Sequence, residues 1–440
     1  MLAAFKNAFK IPELKNRILF TLALLVIYRL GGHIPTPGID GRLMAEFMAE
    51  RQNTLLGFAD LFAGGAFSRM TIFALGIMPY ISASIILQLL VAVVPHFEKL
   101  SKEGEEGRRK LTQYTRYGTI ALTAVQSLGI SLWLSNPSNF DGREIVPNPG
   151  LGFMLLTMIT FTTGTAFIMW LGEQITERGV GNGISLIIFG GIVAGMPTAI
   201  ALLITNIQIG EMNIFKMIVL AAMLVAVTAG VIVLTQGQRK IPVQYAKQIK
   251  GRKVYGGQST FLPLRVNQAG VIPIIFASSL LLFPATIAQF FHTGAMQTLT
   301  DLLSPGRFLY NIIYVLLIVF FAYFYTAITF NPIDVVDNLK KYGGFVPGIR
   351  PGRPTAEYLD RVMTRITLPG SIALAIVAVL PTMIGYSMRV PYLVASFFGG
   401  TSLLIVVGVA LDTVQQIESH LLVRHYDGFM KKGRIRARRF

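Results

Sequence analysis

Side chains able to do chemistry are scarce in this sequence, and their scarcity is its first message. There is no cysteine, which excludes disulfides, thiol catalysis and cysteine-based metal sites. The five histidines are scattered without metal-ligand spacing. No G-x-x-x-x-G-K-[ST] phosphate loop occurs. Gly179-Val180-Gly181-Asn182-Gly183 lacks the strand that a dinucleotide loop requires and reads as a turn. No nucleophile, base and orienting acid recur together. The expectation is a protein that is not an enzyme and uses no cofactor or metal, a passive conduit driven from elsewhere.

The ionisable residues inside apolar stretches point the same way. An ion-coupled transporter needs such a group in the membrane to hold its ion or proton. Here Glu173, Asp412 and Glu418 lie toward the ends of apolar runs. Arg29 sits near the end of the first run, where its side chain is expected to snorkel. All four read as structural or anchoring.

The elements that must carry these residues are membrane spans. Of 440 residues, 53% are hydrophobic and 14% charged, against about 25% charged in a typical soluble protein. A hydrocarbon core of about 30 Å takes roughly 20 apolar helical residues. Ten runs meet that need, at 16–33, 70–94, 116–135, 151–172, 184–205, 214–236, 269–291, 308–330, 369–388 and 397–418. The first run follows Lys6, Lys10, Lys15 and Arg17 as a signal peptide would. Arg29, Gly31, Gly32, His33 and Pro35 close it instead of a cleavage site, so it reads as a retained span. The apolar stretch from Leu55 to Ser68 is too short to cross.

Charge sets the expected orientation. With the N-terminus inside, inner segments hold 31 of the 39 basic residues, and the outer segments carry 8 basic and 8 acidic residues. The whole formal charge of +17 then lies on the inner side, and both termini are expected to be cytoplasmic. Two inner segments, 237–268 and 331–368, are long for connections. The first carries Arg252 and Lys253 among other cations, and the second carries Arg350. Orientation needs only a few charges near each span end, so the surplus reads as a docking surface. The basic tail, Lys431 to Arg439, suits either orientation or anionic lipid.

Ten spans split into two fives give halves of opposite topology, taken as 1–206 and 207–440. Pro79-Tyr80-Ile81-Ser82-Ala83-Ser84 in the second span matches Pro273-Ile274-Ile275-Phe276-Ala277-Ser278 in the seventh at four offsets. Gly183-Ile184-Ser185-Leu186-Ile187-Ile188 in the fifth matches Gly400-Thr401-Ser402-Leu403-Leu404-Ile405 in the tenth. Inverted repeats place the permeation site near the midplane, on the axis relating them. Ile81, Ile188, Ile275 and Ile405 are candidates for that axis.

Four longer motifs are specific. Ile72 through Ile86, Trp170 through Gly179, Phe345 through Gly352 and Gly399 through Ile405 closely resemble the SecY family, the channel-forming subunits of the bacterial Sec translocon. The resemblance runs from the first span through the tenth. It implies an all-α polytopic membrane protein, with ten transmembrane helices in two inverted five-helix halves around a central pore. It places the family's aliphatic pore ring on Ile77, Ile81, Ile184, Ile188, Ile275 and Ile405. The plug falls at about 57–69, with Phe58, Asp60, Leu61, Phe62, Gly64, Gly65, Phe67 and Arg69. The lateral gate falls on Ser82, Ala83, Ser84 and Gln88 of the second span and Ala277, Ser278 and Ser279 of the seventh.

The implied function is a protein-conducting channel that passes unfolded preproteins and releases transmembrane segments sideways into lipid. The implied home is the bacterial cytoplasmic (inner) membrane. The implied partners are the SecE and SecG subunits, the SecA motor ATPase, the ribosome, signal sequences and nascent polypeptides. RNA phosphates and an acidic motor surface both match the basic loops. A secondary transporter of small solutes is the alternative, and it predicts a polar midplane site; a structural scaffold leaves the matched prolines and isoleucines unexplained.

Overall fold

The computed structural model describes the chain apart from residues 1–10, 51–54, 211–212, 246–247, 251–252, 256–258, 291–306, 388–393, 395–396, 398–400 and 433–440. In chain order its helices begin with α1 (Pro12–Gly31), short α2 (Gly41–Glu50) and α3 (Leu55–Ala63), α4 (Met78–Val93) and short α5 (Pro95–Lys102). They continue with α6 (Glu105–Leu134), α7 (Leu151–Arg178), α8 (Gly183–Gln208) and α9 (Ile214–Gln236). Strands β1 (Gln238–Tyr245), β2 (Gln248–Lys250), β3 (Lys253–Tyr255) and β4 (Ser259–Arg265) precede α10 (Ile272–Phe290), α11 (Phe308–Thr329) and α12 (Pro332–Lys341). Strand β5 (Gly344–Phe345), α13 (Arg353–Ser387) and α14 (Thr401–Lys432) complete the order.

Each of the ten expected spans falls on a helix: α1, α4, α6 to α11, α13 and α14. Seven described helices are long and apolar enough to cross a membrane alone, and the bent α4–α5 pair makes an eighth. The chain is a multi-pass helical membrane protein.

The second span departs most from its expected bounds, starting at Met78 rather than at 70. Residues 70–77 form a chain of turns, with Met70 at φ 43° and Gly76 at φ 56°. They are tied to the segment that follows α1 by backbone bonds from Thr36 N–H to the Met70 carbonyl and from Ile72 N–H to the Ile34 carbonyl. Pro79 sits in the first turn of α4, where its missing N–H costs nothing. Pro95 ends the helix by holding Val94 extended, and α5 leaves at 97°. Hydropathy counts apolar residues and does not see these turns.

By internal contacts the described residues fall into two units. One is built from the described parts of 1–205, 282–300 and 405–440, the other from the described parts of 206–281 and 301–404. In the first unit, α6 packs on α4 and α7 through a buried row of small hydroxyl residues, Thr115, Thr119, Thr123, Ser127 and Ser131. Each donates to a carbonyl three or four residues earlier in its own helix. That satisfies the hydroxyls and keeps the face thin enough for close approach. At the end of this interface Arg116 donates to both oxygens of Glu173, at 2.8 and 2.7 Å. Glu173 is thus a paired structural group.

In the second unit, α13 packs on α11 and α9. The long connections add something that the all-helical expectation did not contain. Strands β4, β1 and β5 form an antiparallel sheet in that order, with Ile241 opposite Leu262 and Gln244 opposite Phe345. Beneath it Ile241, Val243, Leu264, Val336, Val346, Leu359 and Met363 share one buried cluster. Strands β1 and β4, from 237–268, therefore fold together with the segment 331–368.

Candidate pore ring, plug and docking surfaces

The plug segment is held by contacts from two spans. Leu61, Phe62 and Phe67 are buried. The turn after α3 is closed by Asp60, whose Oδ1 accepts from the Ser68 N–H at 2.8 Å while its carbonyl accepts from Gly65 N–H at 3.0 Å. Gly64 and Gly65 both take positive φ, 65° and 82°, which disfavours any other residue. A Cβ on Gly64 would lie 2.7 Å from the Cα of Gly191 on α8, so the plug rests on α8 backbone to backbone. Burial holds the Asp60 carboxyl above the usual carboxylate range, against the lowering pull of the Ser68 and Phe67 hydrogen bonds and of Arg69. Arg69 itself is exposed. Of Phe58 only the backbone is described.

The last turn of α1 completes the seat. Arg29 donates from Nη1 to the Gly64 carbonyl at 2.6 Å, and the Tyr28 hydroxyl donates to the Ala63 carbonyl at 3.4 Å. Carbonyls at a helix C-terminus lack intrahelical partners and carry partial negative charge, so a cation is the fitting donor. Snorkelling was the expected fate of Arg29; the Gly64 carbonyl, just past α3, captures it instead. The only signal in the sequence was a charge inside an apolar run.

Five of the six ring isoleucines, Ile77, Ile81, Ile188, Ile275 and Ile405, are at most 5% exposed. Ile77 is the residue before α4 and Ile81 lies one turn inside it. Ile184 and Ile188 are likewise one turn apart near the start of α8, on one face. Ile184 is half-buried and lies against Gly172 of α7, where a Cβ would come within 3.1 Å of its Cγ1. Ile77, Ile81, Ile184, Ile188 and Ile405 belong to the first unit and Ile275 to the second.

On α4, Ala83 is buried, Ser82, Ser84 and Gln88 are half-buried, and Gln88 Nε2 reaches Ser84 Oγ at 3.4 Å. Gln88 Oε1 is buried with no partner among the described residues. On α10, Ala277, Ser278 and Ser279 are buried, and Ser278 donates to the Ile275 carbonyl at 2.9 Å.

Arg350 is exposed on a turn set by Gly348 at φ 82°, and its carbonyl accepts from Thr355 Oγ1 at 2.8 Å. Arg252 lies outside the described residues. Lys253 opens β3, where its backbone pairs with Lys250; its side chain is not described.

Comparison with known proteins decides what this assembly is. The sequence matches the SecY family over residues 71–414. The protein translocase subunit SecY of Escherichia coli K12 is 49% identical over 429 residues, covering 97% of this chain and 96% of that protein. The chain belongs to the SecY family. It is a translocation channel and not an enzyme. Among solved structures, a SecY whose plug domain stabilises the closed state of its translocation channel superposes with a TM-score of 0.65 at 17% identity, over 92% of both chains. Canine Sec61 from a ribosome–channel complex of the endoplasmic reticulum gives 0.61 at 18% identity, over 92% of both. At such identities these two similarities establish the fold.

Proposed function

We propose that this channel passes unfolded preproteins through a ring made by Ile77, Ile81, Ile184, Ile188, Ile275 and Ile405, on the axis of two inverted halves, 1–206 and 207–440. The observation that carries the reading is the 49% identity to a protein translocase subunit across 97% of the chain. The burial of the ring isoleucines supports it. Isoleucines carry no fixed charge, so they hold no passing segment, and an empty hydrophobic constriction dewets and stops ions.

The plug at 57–69 adds a second barrier, seated at rest by Arg29, Tyr28 and Gly191. A signal sequence opens the seam between the second and seventh spans, whose small residues make numerous weak contacts, and a transmembrane segment leaves sideways because lipid buries its apolar surface. The chain sits in the bacterial inner membrane with both termini cytoplasmic, as its basic residues require. The folded body around Arg350, together with Arg252 and Lys253, then faces the cytoplasm and docks SecA or the ribosome, while SecE and SecG complete the complex. The ribosome-bound Sec61 of similar fold supports the ribosome as a partner.

Proteoliposomes holding the assembled translocon test the reading. Protease-protected preprotein that accumulates only with SecA and ATP supports it. Uptake of a small solute without preprotein transport would favour the secondary transporter.

A further inference from the structure

The glycine-rich turn at 179–183 has a backbone partnered unlike that of an ordinary turn. Three of its N–H groups, and the two just after it, end on side-chain oxygens. Val180 N–H donates to Thr21 Oγ1 of α1 at 3.0 Å. Gly181 N–H donates to Gln416 Oε1 of α14 at 2.9 Å. Gly183 N–H donates to Thr176 Oγ1 of α7 at 2.9 Å. Ile184 and Ser185 N–H donate to Asn182 Oδ1 at 3.1 and 3.2 Å, a side-chain cap on the first turn of α8.

The packing around the turn is equally specific. Val180 is buried with Leu14 of α1 and Ile417 of α14. A Cβ on Gly179 would lie 2.4 Å from Thr21 Oγ1, and one on Gly183 would lie 1.9 Å from the Gly172 carbonyl oxygen. Gly181 has φ 87°, with Thr413 Oγ1 of α14 at 3.1 Å from where its Cβ would be. Three helices thus dictate the shape of one turn, and every residue that touches it lies within the first unit.

We infer that Thr21 and Gln416, acting through the 179–183 turn, are positioning residues for the constriction. They fix the axial register of α8, which carries Ile184 and Ile188, against α14, which carries Ile405. The clamp lies at the first residues of α8, within two turns of both its isoleucines. Along α14 it lies roughly 16 Å from Ile405, at about 1.5 Å per residue. A helix slipping by one residue moves its isoleucines by about 1.5 Å and rotates them by about 100°, enough to open a gap in a packed ring. The inference rests on the ring assignment proposed above. A turn that served folding alone has no need of oxygens from α1 and α14 to set its path.

Resting ion conductance of the full translocon in planar bilayers tests this. Thr21→Val and Gln416→Leu keep shape and remove the accepting oxygens. Thr21→Ser and Gln416→Glu keep an acceptor. The Val/Leu double variant is expected to leak roughly tenfold or more above wild type, the shift expected from losing two such bonds. The Ser/Glu double variant is expected to stay tight. Wild-type conductance in the Val/Leu variant, or equal leak in both doubles, would overturn the inference. If the Val/Leu double does not assemble, Gln416→Leu alone, at an exposed position, carries the same comparison.

The triple Ile81, Ile188 and Ile275→Gly channel is run beside them. A leaking triple with a tight Val/Leu variant sinks the clamp alone. A tight triple sinks the ring assignment, and the clamp falls with it.

Discussion

Arg29 and Gly64 are joined by a 2.6 Å hydrogen bond, in which the guanidinium at the end of the first span donates to the carbonyl that follows the plug helix. An arginine inside an apolar run is costly unless something claims it, and the Gly64 carbonyl does so. The same bond makes plug displacement dependent on releasing a charge.

Replacing Arg29 by Gln is therefore expected to loosen the plug without removing the span. A hydrogen bond to a charged group contributes about 1.5–3 kcal/mol. Its loss shifts the seated–displaced balance by roughly ten- to a hundredfold, at 1.4 kcal/mol per tenfold. Chemical crosslinking between cysteines placed in the plug and in α8 measures this, on a chain with no native cysteine. Undiminished crosslinking in Arg29→Gln would remove the latch.

The two plug glycines separate strain from space. Gly65 has φ 82° and, among the described residues, nothing within 4 Å of a Cβ, whereas Gly64 combines φ 65° with the 2.7 Å approach to Gly191. Gly65→Ala is expected to cost about 1 kcal/mol from backbone strain alone. Gly64→Ala is expected to cost clearly more and to unseat the plug. Thermal midpoints of the purified complexes compare them, and equal losses would contradict the close packing on α8.

Asp60 gives the plug a pH dependence. Its carboxyl is raised by burial, so the seated plug favours the protonated form. That contribution is fully present below the ordinary carboxylate pKa and is lost as pH rises through the raised value. Asp60→Asn keeps an Oδ1 for the Ser68 N–H and carries no charge to desolvate. Plug seating in the wild type is expected to weaken from acid toward neutral pH, while the Asn variant stays flat. Parallel pH profiles for the two would refute the assignment.

Charge reversal at Arg350 bears on the docking body. An exposed interfacial charge acts chiefly on association, so Arg350→Glu is expected to slow SecA- or ribosome-dependent translocation by about tenfold. Membrane insertion of the channel itself should be unchanged. Normal translocation rates in that variant would take Arg350 out of the docking surface.

The membrane fold was legible because hydrocarbon imposes one pattern: each of the ten apolar runs falls on a helix. What escaped the sequence depends on partners far along the chain. Gln244 pairs with Phe345, and strands of two or three residues leave no periodicity to read. The start of α4 was misplaced by eight residues, from 70 to Met78, because Met70 and Gly76 act through dihedral angles. Arg29 was visible as an anomaly, and only the fold shows that Gly64 answers it. The glycines of the 179–183 turn were equally visible, but the oxygens that shape it come from Thr21 and Gln416.

The central claim is that a polypeptide passes at the isoleucine ring. A photo-crosslinking residue at Ile188, paired with one at exposed Ile159 on α7, measures it directly with a preprotein stalled in transit. The account predicts strong crosslinks to the preprotein from position 188 and to lipid alone from position 159. Crosslinks absent at 188, or equal at both positions, would contradict it.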